Sequence, residues 1–457
     1  MRNAIVLAAG EGSKIWPYNE TRQKCALPVA NVPIVRRLVE QLQRIGIQRI
    51  VVVVGALGGT VRAVLDDLPW VRFVEQPRRE GTAPAALLAW ALFPDEPTLV
   101  LYGDIVLSEA DLHRFVEMSQ QETPLAAALL APCGEENPQN CLIGHREGEV
   151  LRGVEGHPRG GQERLCGVYA FQPQARRFLE NNPGIFRPVP VGGMPPLEAE
   201  IAASLQRMIE AGETVRAVLA QGFFVDVDKP WHLLGATHRV LDDLFDRLEE
   251  SHIAPSARIH DGAEIHGKVV LGEGSLIGNR VVVKGDLWVG AHTQITNGAM
   301  IGGRTVIGSH ARVREYCLIG GHCALGDRTL CGHGAELDGI LFDRAYLYHY
   351  CEMAGVFGSA VDIGAATVCG TLRFDDGETV FTIKGRREIP PYGANCAYMG
   401  DYSRTGVNAI LMPGVRVGAY SCVGPGVILY EDLPSRKMIL AKQEYVLKDW
   451  GPEKYGW

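Results

Sequence analysis

Residues 253–337 decide the fold of the second half of the chain and read IAPSARIHDGAEIHGKVVLGEGSLIGNRVVVKGDLWVGAHTQITNGAMIGGRTVIGSHARVREYCLIGGHCALGDRTLCGHGAEL. From Ile253 to Leu337, every sixth residue is Ile, Leu or Val, with Cys331 as the exception. Glycine often follows the aliphatic residue, and a small side chain often stands four residues after it. A period of six fits neither an α-helix nor a simple alternating strand. It fits a coil of three short strands per turn, in which aliphatic side chains point into a narrow shaft.

Such a coil cannot bury its own apolar face, so successive coils must stack on each other. The period therefore predicts a parallel β-helix of hexapeptide repeats over residues 253–430, and fifteen positions in register disfavour an accidental spacing. The register fails where Asp343 and His349 stand at positions due for aliphatic residues. Residues 371–406, rich in charge and glycine, are interpreted partly as an excursion from the coil. A break in a solenoid is where a function-bearing loop is expected.

Length and composition bound the class of protein. A chain of 457 residues predicts two or more domains. The balance of 45 basic against 53 acidic residues gives a net charge of −8, which argues against non-specific binding to nucleic acid. The apolar runs near the start are too short to span a bilayer, and the chain opens into a strand rather than a signal peptide. The eleven cysteines lack CxxC spacing, so we expect reduced thiols and a cytoplasmic protein.

The beginning of the chain alternates apolar strands with an amphipathic helix. The helix is predicted to begin at Pro33 and to end at Gly46. Continuous aliphatic runs predict three buried strands of a parallel sheet, at residues 3–8, 49–54 and 98–102. Ligands of such sheets bind at the carboxyl ends of the strands. The glycine-rich loop at residues 9–14 and the acid Asp104 both fall at that edge.

The stretch LAAGEGSKIWP at residues 7–17, followed by KCALPV at residues 24–29, resembles the signature of the sugar-1-phosphate nucleotidyltransferases. That signature reads Leu-Ala-x-Gly-x-Gly-Thr-Arg-Leu-x-Pro and then Pro-Lys-x-Leu-x-Pro-Val, and its spacing is kept. The resemblance extends over residues 1–236 through further matches in the same order, at Gly81-Thr82-Ala83, Gly103-Asp104, Val154-Glu155 and residues 225–231. The chain departs from the family pattern at three places, namely Ser13-Lys14 for Thr-Arg, Gln23 for Pro, and Leu165 for an Asn.

The resemblance implies an α/β Rossmann-like nucleotidyltransferase domain, which joins a sugar 1-phosphate to the α-phosphorus of a nucleoside triphosphate and expels pyrophosphate. Two polyanions meet in this reaction, so positive groups must screen them. Lys14 would lie against the leaving phosphates, and Lys24 would contact phosphate near the reacting centre. Asp104 and Asp226 would hold a Mg²⁺ that bridges the phosphates. The resemblance assigns nucleotide and sugar contacts to Ala9, Gly10, Gly12, Ser13, Gln76, Gly81, Thr82, Gly103 and Glu155.

Each of these residues also has a simpler structural interpretation. The glycine-rich loop cradles phosphates through its backbone N–H groups, or it is only a tight turn. Lys24 is a phosphate ligand or an ordinary surface lysine. An aspartate at a strand end, such as Asp104 or Asp226, is often only a helix cap or a turn residue. Glu155 accepts from sugar hydroxyls or is simply solvated.

Residues 237–252 read as an amphipathic helix that links the two halves. The second half then resembles the acetyltransferase domain of the bifunctional N-acetylglucosamine-1-phosphate uridyltransferases, and more closely that of archaeal-type enzymes. The matching stretches are residues 349–352, 363–367, 372–377, 384–387, 405–408 and 412–414. In that family a His at the position of His349 is the general base that deprotonates the sugar amine, a task that suits a neutral imidazole. The chain has Glu352 where a Tyr is expected, and Thr371 where an Asn is expected.

The family resemblance implies that the β-helix is left-handed and that the chain is a homo-oligomer, a trimer or a multiple of three. It also implies acetyl-CoA as a possible co-substrate, bound between subunits. The alternatives are that His349 is a structural histidine and that the β-helix is only a trimerisation and regulatory module. The tail, residues 431–457, is expected to leave the coil.

Two hypotheses follow for the whole chain. The first is a Mg²⁺-dependent enzyme that uses a nucleoside triphosphate and a sugar 1-phosphate, with a possible second amino-sugar acetyltransferase site. The second is a catalytically inactive regulatory or scaffolding homologue that binds nucleotide or sugar phosphate. Retention of Lys24, Asp104 and Asp226 favours the enzyme, whereas the changes at Ser13-Lys14, Gln23 and Leu165 favour the inactive homologue.

Overall fold

The computed structural model describes residues 1–134, 136–156, 160–182 and 198–455. The N-terminal half is built on a nine-stranded mixed sheet in the order β5-β4-β1-β6-β11-β8-β12-β10-β9. Its strands and those beside it are β1 (Asn3–Ala8), β2 (Pro28–Val29), β3 (Val32–Pro33), β4 (Arg49–Val54), β5 (Val71–Glu75), β6 (Thr98–Tyr102), β7 (Ile105–Leu107), β8 (Ala126–Pro132), β9 (Leu142–Glu147), β10 (Val150–Gly156), β11 (Glu163–Phe171), β12 (Val215–Leu219) and β13 (Phe224–Asp226).

Helices cover both faces of this sheet. They are α1 (Ile34–Arg44), α2 (Gly58–Ala63), α3 (Thr82–Trp90), α4 (Glu109–Met118), α5 (Arg176–Glu180), α6 (Ile201–Glu210) and α7 (His232–Asp246), with 3-10 turns at Lys24–Ala26, Pro138–Asn140 and Pro173–Ala175. The three predicted strands are confirmed with their bounds, and β1 pairs in parallel with both β4 and β6. Helix α1 begins directly after Pro33, and Gly46 follows its end with a φ of +91°. That left-handed conformation favours glycine after a helix.

The second half is the predicted parallel β-helix. Most paired residues belong to successive coils. Ile277 pairs with Ile295, and Ile295 in turn pairs with Val313. The inward aliphatic side chains form one continuous buried core. The strands are β14 (His252–Ile253), β15 (Arg258–Ile259), β16 (Glu264–Ile265), β17 (Val269–Leu271), β18 (Leu276–Ile277), β19 (Val282–Val283), β20 (Leu287–Val289), β21 (Gln294–Ile295), β22 (Met300–Ile301), β23 (Thr305–Ile307), β24 (Arg312–Val313), β25 (Leu318–Ile319), β26 (Ala324–Leu325), β27 (Leu330–Cys331), β28 (Glu336–Leu341), β29 (Tyr346–Leu347), β30 (Glu352–Phe357), β31 (Asp362–Ile363), β32 (Val368–Cys369), β33 (Phe381–Ile383), β34 (Arg386–Glu388), β35 (Ala397–Met399), β36 (Arg404–Thr405), β37 (Ile410–Leu411), β38 (Arg416–Val417), β39 (Cys422–Val423), β40 (Ile428–Leu429) and β41 (Met438–Ile439).

The expected failure of the six-residue register after residue 337 is confirmed, and the coil continues there with two fewer residues per turn. Leu337 pairs with Met353, so the partners there are 353 − 337 = 16 residues apart. Strands β28 and β30 run straight through a corner, at Gly339 and Gly355, where φ is +139° and +136°. A Cβ at Gly339 would lie 2.1 Å from a backbone oxygen of the next coil. Leu341 and Leu347 therefore take the inward positions.

The excursion from the coil is narrower than predicted. The chain leaves the β-helix after Cys369 and re-enters it at Ala397, and the intervening segment carries the antiparallel hairpin β33–β34. The coil itself extends past residue 430, because β41 pairs with β39. The short helix α8 (Pro452–Tyr455) lies near the end of the tail, and residues 456 and 457 lie outside the described residues.

The two halves pack against each other along one apolar interface. Helix α7 begins five residues before the predicted linker and forms the inner side of this interface. The apolar core of the interface contains side chains from both halves, among them Tyr18, Trp231, Leu234, Val356, Phe381 and Tyr398. In the part of the chain that the structure describes, no helix is long and apolar enough to cross a membrane.

Candidate active site

Two lysines and three aspartates meet at the carboxyl ends of β1 and β6. We call this group the lysine–aspartate cluster; its members are Lys14, Lys24, Asp104, Asp226 and Asp228. The glycine-rich loop leaves β1 beside the end of β6, where the Gly103 amide donates to the Leu7 carbonyl over 2.8 Å. Strand β13 pairs antiparallel with β7, which sets Asp226 opposite Ile105 and therefore beside Asp104. The chain segments that carry the predicted residues are thus brought to one edge of the sheet.

Lys24 is the buried centre of the cluster. Its Nζ lies 2.6 Å from an Asp104 oxygen and 3.4 Å from an Asp228 oxygen, and only 10% of its side chain is exposed. Burial alone would lower its pKa, but the negative charges of Asp104 and Asp228 outweigh burial and raise the pKa above the ordinary value. Lys24 is therefore charged at neutral pH, and the interpretation as a surface lysine is wrong.

Asp228 joins the two lysines. Its second oxygen accepts from the Lys14 Nζ over 2.9 Å, and its backbone N–H donates to His232 Nδ1. Burial opposes the charged carboxylate, but Lys24 and Lys14 together lower the pKa of Asp228 well below its usual range. Sequence reasoning did not assign this residue, which lies in the turn directly after β13, where its N–H also lies 3.0 Å from the Asp226 carbonyl oxygen.

Asp104 and Asp226 are the acids predicted to hold Mg²⁺. The pKa of Asp104 is raised, first by burial and further by the negative charges of Asp226 and Asp228, against the opposing charge of Lys24. Asp226 accepts from the Arg164 guanidinium over 3.0 Å. The donor set suits Mg²⁺, because this ion takes one or two carboxylates together with substrate phosphates and would relieve the repulsion between the acids. Among the described residues, no group of three or more His, Cys, Asp or Glu side chains forms a self-sufficient metal site.

The glycine-rich loop is tied to the turn that carries Lys24. Gly12 has a φ of +60°, and a Cβ there would lie 2.9 Å from the Cβ of Lys24. Gln23, which replaces the family proline, is buried and donates from Nε2 to the Gly10 carbonyl over 2.9 Å. The side chain of Gln23 also accepts from the Cys25 amide. This departure therefore supplies a tether between the loop and Lys24. Ala9 lies buried at the start of the loop, and Ser13 lies exposed within it.

Gln76, Gly81 and Thr82, which were predicted to contact nucleotide or sugar, lie together beside the N-terminus of α3. Gln76 Nε2 donates to the Gly81 carbonyl over 3.2 Å, beside a cavity of about 370 Å³. Gly81 has a φ of +113°, and a Cβ there would lie 2.4 Å from the Ala199 nitrogen. The Thr82 hydroxyl donates to Glu200 over 2.8 Å. Burial raises the pKa of Glu200, a residue that the sequence reasoning did not assign.

Glu155 is paired with His145, whose Nε2 lies 3.2 Å from the carboxylate. Within residues 1–134, 136–156, 160–182 and 198–455, no hydrogen bond or ion pair joins Glu155 to the lysine–aspartate cluster. Leu165 is buried in the core of the N-terminal half. The neighbouring Arg164, which the sequence reasoning also did not assign, donates to Asp226, and its guanidinium stacks over the Phe224 ring. Arg164 thus places a cation beside Asp226.

His349 lies at a corner of the β-helix, between β29 and β30, and not in the shaft. Its imidazole is exposed and contacts the rings of Tyr348 and Tyr350. Glu352, which replaces the expected tyrosine, begins β30 and is also exposed. Among the described ion pairs, none joins His349 to the lysine–aspartate cluster, so it belongs to a separate surface of the molecule.

Comparison with known proteins places this geometry in a family. The family model of the MobA-like NTP transferase domain matches residues 4–176. The bifunctional protein GlmU of Methanococcus maripaludis strain C7 is 30% identical over 455 residues, which cover 97% of this chain and 98% of that protein. The chain belongs to the GlmU family. GlmU of Methanocaldococcus jannaschii is 26% identical over 98% of this chain and 99% of its own length.

A third relative carries a fuller name. The bifunctional sugar-1-phosphate nucleotidylyltransferase/acetyltransferase of Sulfurisphaera tokodaii is 23% identical over 94% of this chain and 98% of its own length. The match to GlmU proteins thus includes both halves and the junction between them. The predicted fold class, an α/β nucleotidyltransferase domain followed by a left-handed parallel β-helix, is confirmed for this member of the GlmU family. The chain is an enzyme of the nucleotidyltransferase class.

Proposed function

We propose that the lysine–aspartate cluster transfers a nucleotidyl group from a nucleoside triphosphate to a sugar 1-phosphate. The observation that carries this proposal is the interlocked set of Lys14, Lys24 and Asp228 at the carboxyl edge of the sheet. Two fixed ammonium groups beside the glycine-rich loop meet the main requirement of the reaction, which is to bring two polyanions together. An inactive homologue would not need a buried lysine held against two carboxylates at this edge of the sheet.

The reaction proceeds by displacement at the α-phosphorus. A phosphate oxygen of the sugar 1-phosphate forms the new bond, and the bond to the oxygen that bridges the α- and β-phosphates breaks, so that pyrophosphate leaves. Lys24, the more buried lysine, stabilises charge near the reacting phosphorus. Lys14, which is 40% exposed, faces the leaving phosphates. Asp228 holds both ammonium groups in place before the phosphates arrive.

Asp104 and Asp226 would hold Mg²⁺ together with substrate phosphate oxygens. When bound, the ion neutralises phosphate charge and fixes the geometry of the phosphates. Arg164 and Lys24 keep the two carboxylates in place, since each donates to one of them. Gln76, Gly81 and Thr82 lie at the N-terminus of α3, where backbone and side-chain groups can contact the nucleotide.

A second activity, acetyl transfer to an amino-sugar phosphate, is proposed for the β-helix. It is supported by the exposed imidazole of His349 at a corner of the coil and by the full-length match to bifunctional relatives. His349 would take the proton from the sugar amine while acetyl-CoA supplies the acyl group. Because the family resemblance implies an acyl donor bound between subunits, this activity is proposed for a trimer.

The test of the main proposal is pyrophosphate release with Mg²⁺, measured for each common nucleoside triphosphate crossed with glucose, glucosamine and N-acetylglucosamine 1-phosphates. Turnover with one pairing is expected and would name the substrates. If the folded protein releases no pyrophosphate with any pairing, the result would favour the inactive homologue. The acetyl proposal is tested by thiol release from acetyl-CoA with glucosamine 1-phosphate, where His349→Ala should abolish thiol release and leave pyrophosphate release unchanged.

A further inference from the structure

The β-helix contacts both chain segments that carry the lysine–aspartate cluster. The first is the segment 15–23, which joins Lys14 to Lys24. The second is the end of β13 together with the turn after it, which carry Asp226 and Asp228 and continue into α7. Contacts at these two places are made by side chains that stand more than 150 residues further along the chain. They are separate from the contacts that merely fasten α7 to the coil.

The first segment is held by the buried carboxylate of Asp401. One oxygen of Asp401 accepts from Arg22 Nε over 3.0 Å and from Arg22 Nη2 over 2.6 Å, and it also accepts from the Thr21 hydroxyl. The other oxygen accepts from the Ser359 amide over 2.7 Å, which fixes the carboxylate to the neighbouring coil. Only 1% of the Asp401 side chain is exposed. A buried carboxylate with both oxygens hydrogen-bonded thus joins the coil to the segment between the two lysines.

Close backbone packing adds to this contact. The Tyr18 hydroxyl donates to the Val356 carbonyl over 2.7 Å, and the Tyr18 ring is fully buried. A Cβ at Gly400 would lie 2.7 Å from the carbonyl oxygen of Pro17, so the coil can approach the segment only because this residue is glycine. Segment 15–23 therefore contacts the β-helix at three places, which are Pro17, Tyr18 and the pair Thr21–Arg22.

The second segment is held by the hairpin β33–β34. Glu388 lies 2.6 Å from the Nζ of Lys229, and the two side chains are 14% and 3% exposed. Lys229 directly follows Asp228. Phe381 packs on Trp231 at a centroid distance of 5.1 Å. The hairpin β33–β34 therefore packs against the second segment, which carries Asp226 and Asp228, and does not project into solvent there.

We infer that the β-helix is a working part of the nucleotidyl-transfer site, in which Asp401 and Glu388 are positioning residues for the lysines and for the aspartates respectively. This inference rests on the proposed function. The coil that carries Asp401 is held on both sides, because β35, which ends two residues before Asp401, pairs with β30 and with β38. A loop fixed to it keeps Lys14, Lys24 and Asp228 at the separations that the phosphates require. A displacement of about 1 Å can cost roughly 100-fold in rate.

The experiment compares three isosteric variants of the full-length chain. Asp401→Asn keeps an acceptor for Ser359 but faces Arg22 with an amide, and Glu388→Gln removes the partner of Lys229. The control is Asp242→Asn, because Asp242 on α7 also bridges to the β-helix, through Arg304 over 2.6 Å and His322 over 2.8 Å, away from the cluster. We expect kcat to fall roughly 10- to 100-fold in the first two variants, with each KM changed by less than about threefold.

Hydrogen exchange provides a readout that does not need turnover. Amides of residues 15–24 should exchange faster in Asp401→Asn, and amides of residues 226–234 should exchange faster in Glu388→Gln, whereas both segments should be unchanged in Asp242→Asn. Arg22→Lys, which keeps a charge for Asp401, should recover part of the kcat that Arg22→Met loses. Circular dichroism and thermal melting ensure that rates are compared at equal folded fractions.

Each outcome decides the inference. Loss of kcat with local faster exchange, absent from the control, supports it. An unchanged kcat overturns it, even if exchange is faster, because the contacts would then hold the segments without serving the reaction. An equal loss in the Asp242→Asn control also overturns it, because general loosening of the interface would explain the loss. If the wild-type chain releases no pyrophosphate, the proposed function fails, and the exchange data alone decide whether the β-helix holds these segments.

Discussion

Replacing Lys24 by Met should reduce both stability and activity, because this buried ammonium neutralises two partly buried carboxylates, each 22% exposed. Its Nζ lies 2.6 Å from Asp104 and 3.4 Å from Asp228, and Lys14 remains as a second partner for Asp228 alone. Removing one member of a buried ion pair costs about 3–5 kcal/mol. The cost should lie at the lower end, about 3 kcal/mol, because Asp104 can protonate, its pKa being already raised by burial and by the neighbouring acids.

The loss of activity follows from the same geometry. An electrostatic contact to a developing charge is worth about 100- to 1000-fold in kcat, and the buried ammonium of Lys24 is the most enclosed cation of the cluster. Urea unfolding followed by tryptophan fluorescence gives the stability, and pyrophosphate release gives the rate. The double variant Lys24→Met/Asp104→Asn should regain part of the stability but none of the rate, because it removes the carboxylate that Lys24→Met leaves without its cation and does not restore the cation.

Lys284→Met is the matched control, because Lys284 is exposed on the β-helix. Its free energy of unfolding should change by less than about 0.5 kcal/mol, and its rate should not change. The reasoning is refuted if Lys24→Met unfolds at the wild-type urea concentration, or if its kcat stays within about threefold of the wild-type value.

Three other changes test the surroundings of Lys24. Lys24 and Lys14 lower the pKa of Asp228, although burial opposes the shift. The ionised Asp228 therefore stabilises the folded protein above its unfolded pKa of about 4, and this stabilisation is lost as the pH falls below that value. Asp228→Asn should therefore make the free energy of unfolding decline less steeply with acid. Gly12→Ala places a Cβ 2.9 Å from the Lys24 Cβ at a φ of +60°; it should cost about 1–2 kcal/mol or more and lower kcat, and a wild-type melting temperature would contradict this. Gln23→Pro restores the family residue but removes the amide that donates to Thr60 and the tether to Gly10; we expect a less stable protein, and a more stable one would show that the tether is dispensable.

Periodic features of the sequence predicted most of the fold. The six-residue period fixes which side chains face the shaft, and continuous aliphatic runs located the central strands with their observed bounds. The break in the six-residue register was visible in the sequence at Asp343 and His349, but the spacing did not show its cause, which is that strands run through the corners at Gly339 and Gly355. The excursion and the end of the coil were misplaced for a related reason, since strand pairing, and not the aliphatic spacing alone, decides where the coil resumes and stops.

The candidate site was predicted only where short motifs carry it. Lys24, Asp104 and their neighbours stand at fixed spacings after strand ends, so the edge of the sheet could be foreseen. The ion pairs of Asp401 with Arg22 and of Glu388 with Lys229 join residues that are far apart in sequence. Their meeting depends on how the two halves pack, and a single sequence holds no local signal for that packing.

The most direct test of the central claim is pyrophosphate release by Asp104→Asn, measured beside the wild-type chain with the substrate pair that the panel identifies. Asp104 both accepts from Lys24 and stands beside Asp226. The account predicts that the wild-type chain releases pyrophosphate and that the variant, with unchanged oligomeric size and circular dichroism, releases none above background. An unchanged rate in the variant would contradict the assignment of Asp104 to the reaction site.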